Sequence, residues 1–264
     1  MGAVLCRVCR AAQAWVLPLL YTTVVLSTST DIQQFAEALT VREVPAKDVA
    51  VTPSPALFVR NLWMGPASSN ASYGKEKTAL SRTSQWPQGD LCRILQRCKS
   101  LRTLALIDLP QGAWSPLCVP KSVEALWLGP SHAKVEWSYL LCAPRLAHFV
   151  SVDTFLFDSE FESLLCRAAG IQQISRYLRC AETALHALGR VVDTPADSKL
   201  ETIEVVCCAE ERGGLSMFLE DEEDSMSYKV KRHMLTLTMK SALRDGRPDF
   251  LALVFEDWLA SLKT

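Results

Sequence analysis

The chain has 264 residues, of which 49% are hydrophobic and 22% charged, enough apolar surface for a sizeable core and too much for global disorder. Its 28 basic and 29 acidic side chains leave a formal net charge of −1. That balance excludes the basic excess of a nucleic-acid binder or a polybasic membrane clamp.

From the amino terminus, Arg7 and Arg10 precede an apolar stretch over 11–26 that holds Trp15, Val16, Leu17, Leu19 and Leu20. The outline is that of a signal peptide, but Pro18 and Tyr21-Thr22-Thr23 interrupt the run and no small-x-small cleavage site follows. It is also too short and broken to span a bilayer. Cys6 stands where myristoylation behind Met1-Gly2 requires Ser or Thr. The stretch therefore reads as part of the fold, with a secreted or anchored protein as the rival class. The ten cysteines lack the regular spacing of a disulfide scaffold, and most sit in apolar runs where Cys packs as a small hydrophobe. A cytoplasmic or nuclear protein is the expectation, and the sequon Asn70-Ala71-Ser72 is then without meaning.

Two pentapeptides nearly duplicate each other, Leu62-Trp63-Met64-Gly65-Pro66 and Leu126-Trp127-Leu128-Gly129-Pro130. With Val59 and Val123 three places before their leucines, they define a template, apolar-x-x-apolar-x-apolar. Tyr21-x-x-Val24-x-Leu26, Leu101-x-x-Leu104-x-Leu106, Leu200-x-x-Ile203-x-Val205 and Phe250-x-x-Leu253-x-Phe255 also fit it. Leu146-x-x-Phe149-x-Ser151 and Ile171-x-x-Ile174-x-Arg176 lose the last apolar position. The anchors Val24, Leu62, Leu104, Leu126, Phe149, Ile174, Ile203 and Leu253 are 38, 42, 22, 23, 25, 29 and 50 residues apart. The middle four spacings match the roughly 20–29-residue period of leucine-rich repeats. Loop insertions at about 66–90 and 209–229 account for the longer ones.

Amphipathic segments precede several of these copies. Ile32, Phe35, Ala36 and Leu39 share one helical face, as do Leu91, Ile94, Leu95 and Cys98, and Phe161, Leu164, Leu165 and Ala168. Helix alternating with strand argues for parallel strands joined by crossovers. At so short a period the predicted fold is α/β, a leucine-rich-repeat-like solenoid of parallel strands and short helices.

In each copy, template positions four and six point into the core, and positions three and five point to the strand face. In a solenoid that face is the binding surface. Candidate protein-binding residues are therefore Asn61, Trp63, Thr103, Ala125, Trp127, His148, Gln173, Thr202 and Glu204, and the predicted partner is a protein target lying on this face. Trp63 and Trp127 are the expected anchors, since Trp is enriched at interface hot spots. The competing expectation is that each indole packs on its own Gly-Pro turn.

Catalytic chemistry has little to stand on. Cys6-x-x-Cys9 lacks two further ligands at matching spacing, and Cys207-Cys208 would point to opposite faces of a strand. His132, His148, His186 and His233 are scattered singly, and the acidic run at 220–224 reads as a solvated loop. Nucleophile elbow, phosphate loop, dinucleotide fingerprint and His-Glu-x-x-His are all missing from the sequence. An enzyme is the least favoured class, and no cofactor, metal, nucleic acid or membrane partner is expected.

Leu5-Cys6-Arg7-Val8-Cys9-Arg10, then Ala14-Trp15-Val16-Leu17-Pro18-Leu19-Leu20-Tyr21 and Val24-Val25-Leu26, resembles the last helix of an F-box running into a first repeat strand. The group in question is the large fungal set of F-box/leucine-rich-repeat-like proteins. The strand ends Leu-Trp-x-Gly-Pro and the helix-strand unit at 94–104 are similar to that group, as is the tail at 248–260, expected to be a closing strand. The resemblance is good over 4–208 and poor over 209–247. It implies residues 1–18 as the remnant of an F-box and 19–264 as an irregular repeat domain. It further implies substrate recognition for an SCF-type ubiquitin ligase, with a stand-alone scaffold as the alternative. Since the family's adaptor surface lies mostly on F-box helices absent from this sequence, binding of a Skp-family adaptor is expected to be weak or absent. The remnant helix is expected to be held by Val4, Val8, Ala12 and Trp15 packing on the first repeat.

Overall fold

The computed structural model describes residues 10–41, 54–69, 86–109, 114–130, 135–154, 158–180, 199–208, 225–230, 233–240 and 247–263, with 156, 183–184, 187 and 243–244 besides. Helix α1 (Arg10–Thr22) runs on past residue 18, through Pro18, and leads directly into strand β1 (Thr23–Leu26). Its docking face differs from the expected one. Leu17 is buried and Tyr21 stacks on Phe35, whereas Trp15 is 80% exposed. Leu17 and Tyr21 are four residues apart and share a helix face, which Trp15, two residues from Leu17, cannot join. Val4, Val8 and the side chain of Ala12 lie outside the described residues, as do Cys6 and Cys9.

Seven of the eight template anchors fall in strands: β1, β2 (Asn61–Met64), β3 (Thr103–Ile107), β4 (Ala125–Gly129), β5 (His148–Val152), β6 (Gln173–Leu178) and β7 (Thr202–Cys207). Each strand pairs in parallel with the next in chain order. Val24, Leu62, Leu104, Leu126, Phe149, Ile174 and Ile203 consequently form one continuous cross-strand row. Beyond β7, β8 (Ser225–Val230) and β9 (His233–Met239) form a hairpin that adds β9 in parallel to β7 and leaves β8 antiparallel at the edge. The protein is thus α/β, and among the described residues it has one open sheet of nine strands, eight of them parallel, beside a short antiparallel pair at Leu243–Arg244 and Arg247–Pro248. Residues 225–229, read from sequence as the end of a loop insertion, are in fact strand. Met226, Tyr228 and Val230 alternate with polar residues there, the period of two that a strand requires. The earlier part of that insertion and residues 70–85 lie outside the described residues.

The crossovers on one side of the sheet carry α2 (Ser29–Val41), α3 (Gln88–Arg97) and α4 (Asp158–Arg167), as their spacing predicts, and short 3-10 turns elsewhere. A reciprocal cap opens α2: the Asp31 N–H donates to Thr28 Oγ1 at 3.1 Å and the Thr28 N–H to Asp31 Oδ2 at 2.9 Å. Leu91, Ile94, Leu95 and Cys98 of the α3 face are fully buried against Leu62, Met64, Leu104 and Leu106 of the strands. Template positions four and six therefore do make the helix-side core. Ser151 and Arg176, the two departures from the template, are buried with them.

The last template copy is not a strand. Residues 250–261 form helix α5 (Phe250–Ser261), which lies across the opposite, strand face of the sheet. The spacing Phe250-x-x-Leu253-x-Phe255 suits either element, and the preceding residue decides. The Asp249 carboxylate accepts hydrogen bonds from the Ala252 N–H at 3.0 Å, the Ser69 N–H at 2.7 Å and the Ser68 hydroxyl. It caps the helix and ties it to the loop after β2. Phe250, Leu251, Val254 and Trp258 then bury against Trp63, Ile107, Val152 and Tyr177, a second core on the far side of the sheet. No helix among the described residues is long and apolar enough to cross a membrane.

Burial by itself would raise the Asp249 carboxyl, but the hydrogen bonds from Ser68, Ser69 and Ala252 outweigh it and hold the group below its ordinary value. A depressed folded-state value means that its stabilisation is complete above the unfolded value of about 3.9 and fades as the pH falls through the folded one. Asp249→Ala should cost about 1–2 kcal/mol at neutral pH, as a lost helix cap. The difference from the parent protein should shrink in acid, which urea midpoints near pH 7 and below about pH 4 would check.

Each Leu-Trp-x-Gly-Pro copy also acquires a physical reason. Gly65 and Gly129 have φ of +127° and +137°, and a Cβ on either would run into the carbonyl oxygen of Ile107 or Val152 in the following strand. The residues after those carbonyls, Asp108 and Asp153, are themselves left-handed, with φ of 52° and 44°. A glycine strand end therefore nests against an aspartate strand end twice along the sheet.

Candidate functional site

Helix α5 covers the strand face toward the carboxyl ends of the strands and leaves a groove of about 590 Å³ toward their amino ends. Of the nine residues proposed from sequence, seven line it: Asn61, Thr103, Ala125, Trp127, His148, Gln173 and Glu204. Period-two alternation and the shared register bring them together from six strands. Thr202 stands beside Gln173 in the same row, half-buried and outside the groove.

Trp63 is a correction. It faces the predicted side of the sheet but is wholly buried, edge-on to Phe255 at 4.9 Å and tilted against Trp258 at 5.3 Å. Its Nε1–H donates to the Gly65 carbonyl oxygen at 2.9 Å, so this indole does pack on its own Gly-Pro turn. Trp127 is nearly as buried and lies against the Tyr177 ring at 5.7 Å, as part of the groove's floor. Neither is an exposed anchor: α5 covers Trp63, and the Tyr177 ring packs on Trp127.

Two polar networks shape the groove. Gln173 Nε2 donates to Ser175 Oγ at 3.2 Å, and Ser175 Oγ donates to Glu204 Oε2 at 2.9 Å, a chain that runs across β6 and β7. On the α5 side, Asp257 accepts from the Tyr177 hydroxyl at 2.8 Å and pairs with Lys240 at 2.7 Å. Burial, reinforced by the Asp257 carboxylate, raises the Tyr177 hydroxyl far above its ordinary value, so it stays a donor. Arg102 and Glu124 stand side by side at the rim, where the Glu124 N–H donates to the Arg102 carbonyl oxygen at 2.8 Å.

Sequence reasoning named neither Lys240 nor Asp257. Asp257 lies in the segment the template read as a strand, Lys240 follows β9, for which the template has no copy, and nothing in the local pattern signals that α5 folds back over β6. Tyr177 was missed because it lies one position past the end of the template.

The groove offers shape, hydrogen-bonding groups and charge for recognition. Among the described residues, no three or more His, Cys, Asp or Glu side chains gather where they could hold a metal ion. The thiols of Cys98, Cys142 and Cys208 are pushed up to about 12, chiefly by burial, which makes them poor nucleophiles. Compared with known proteins, the chain matches no family model and no curated protein.

Proposed function

We propose that the chain is a protein–protein interaction module built as a leucine-rich-repeat-like solenoid, with its protein partner held in the strand-face groove. The observation that carries this reading is the strand order. Seven successive strands pair each with the next in chain order, all in parallel, and their anchors form one row. A doubly wound sheet reverses its order at a switch point, whereas a solenoid adds each unit beside the last. Such folds bind along the strand face, where seven of the nine sequence-derived candidates line the groove. The F-box-like junction at the amino terminus extends the proposal to substrate recognition for an SCF-type ubiquitin ligase.

Site-specific photo-crosslinking tests the binding face. Benzoylphenylalanine replacing the exposed His148 at the rim should capture a protein partner from the native cell type, while the same group replacing the exposed Gln34 on α2 should not. Equal capture from both positions, or capture from α2 alone, would overturn the reading.

A further inference from the structure

The groove holds one carboxylate more than its cations match. Among the described lining residues Lys240 is paired with Asp257 at 2.7 Å, and the rim carries one charge of each sign, on the neighbouring Arg102 and Glu124. Glu204 remains, half-buried at the head of the hydrogen-bond chain from Gln173 through Ser175. The Ser175 hydroxyl engages Oε2 alone, and among the described residues Oε1 takes no hydrogen bond and no cation reaches the group. A carboxylate so placed gives up part of its hydration without gaining a counter-charge. Its surroundings favour a cation further. The carboxyl end of α5, at Ala260–Leu262, forms one wall and carries the negative end of a 12-residue helix dipole. Trp127 and Val150 offer an apolar floor of the kind on which an aliphatic stem and a planar cation can lie.

We infer that the groove recognises an arginine side chain of the protein partner, with Glu204 accepting hydrogen bonds from its guanidinium. The inference rests on the interaction-module reading and adds the chemistry of the partner to it. Ser175 is a positioning residue: its hydroxyl occupies one carboxylate oxygen and turns the other toward the groove. Arginine is favoured over lysine because its planar fork suits a carboxylate and an aromatic floor together.

The test titrates the full chain with two capped tripeptides, acetyl-Gly-Arg-Gly-amide and its citrulline counterpart, which differ in charge but hardly in shape. Binding is followed by the indole N–H resonance of Trp127. The arginine peptide should bind about tenfold more tightly than the citrulline peptide, the usual worth of a charge-assisted contact. Glu204→Gln, which keeps an acceptor for Ser175, should erase that difference without changing the melting temperature by more than a degree or two. Equal binding of both peptides to the parent protein would overturn the inference and leave the interaction-module reading standing. So would an indole resonance unmoved by millimolar arginine peptide. In either case crosslinking from His148 judges that broader reading separately, and the peptide comparison does not depend on any variant folding.

Discussion

Gly129→Ala is expected to destabilise the protein by about 3 kcal/mol or more, and Gly65→Ala by a similar amount. Both glycines have a strongly positive φ, which an L side chain adopts only at a cost of about 1–3 kcal/mol. Each also lacks room for a Cβ, which would collide with backbone, the carbonyl of Val152 or of Ile107, rather than with a side chain that can swing away. Overpacking of that kind adds about 1–3 kcal/mol. The struck strand end is itself held by the next strand: the Asp153 N–H after Val152 donates to the Tyr177 carbonyl oxygen, and the Asp108 N–H after Ile107 to that of Gly129. Gly89→Ala on α3 is the control, because a Cβ there meets nothing within 4 Å. Equilibrium urea denaturation of the three variants separates the cases. A loss below about 0.5 kcal/mol for Gly129→Ala would show that the strand ends do not nest as described.

Trp63→Ala should cost about 3–5 kcal/mol, a large part of the roughly 5–15 kcal/mol that holds a domain of ordinary stability. The indole is fully buried between the sheet and α5, in contact with the rings of Phe255 and Trp258. Removing it leaves a cavity at the seam where the helix is fastened to the strand face. The loss should therefore show as premature proteolytic cleavage around α5 as well as a lower midpoint. Trp63→Phe keeps most of the ring contact and gives up only the hydrogen bond to Gly65, so about 1 kcal/mol is expected. Were Trp63 an exposed binding anchor, Trp63→Ala would instead leave the midpoint unchanged and weaken partner capture alone. The same contrast applied to Trp127 asks whether its partner is chiefly the Tyr177 ring or a ligand in the groove.

Much of this architecture is local information. The spacing of apolar residues places Leu62, Leu104, Leu126 and Phe149 at equivalent points of successive strands, and the register rows them up as the template requires. The i, i+3, i+4, i+7 pattern of Leu91, Ile94, Leu95 and Cys98 likewise specifies the buried face of α3 without reference to anything else. Strand alternation alone assigns Asn61, Thr103, Ala125, His148 and Gln173 to the face away from that core, which is why a candidate list drawn from periodicity mostly converges on one groove.

Residues 250–261 mark where local information ends. Their apolar spacing is compatible with strand or helix, and they are apolar enough to be buried in either form. What selects the helix is a cap at Asp249 supplied partly by Ser68 and Ser69, about 180 residues earlier in the chain. What positions it is an aromatic seat built from β2 and β6, together with the Tyr177–Asp257–Lys240 cluster. These contacts join elements far apart in sequence, and no periodicity within one segment encodes its partner in another. The direction in which Trp63 points was therefore readable from the sequence alone. Whether it meets solvent, a ligand or a helix was decided only when the chain closed over its own sheet.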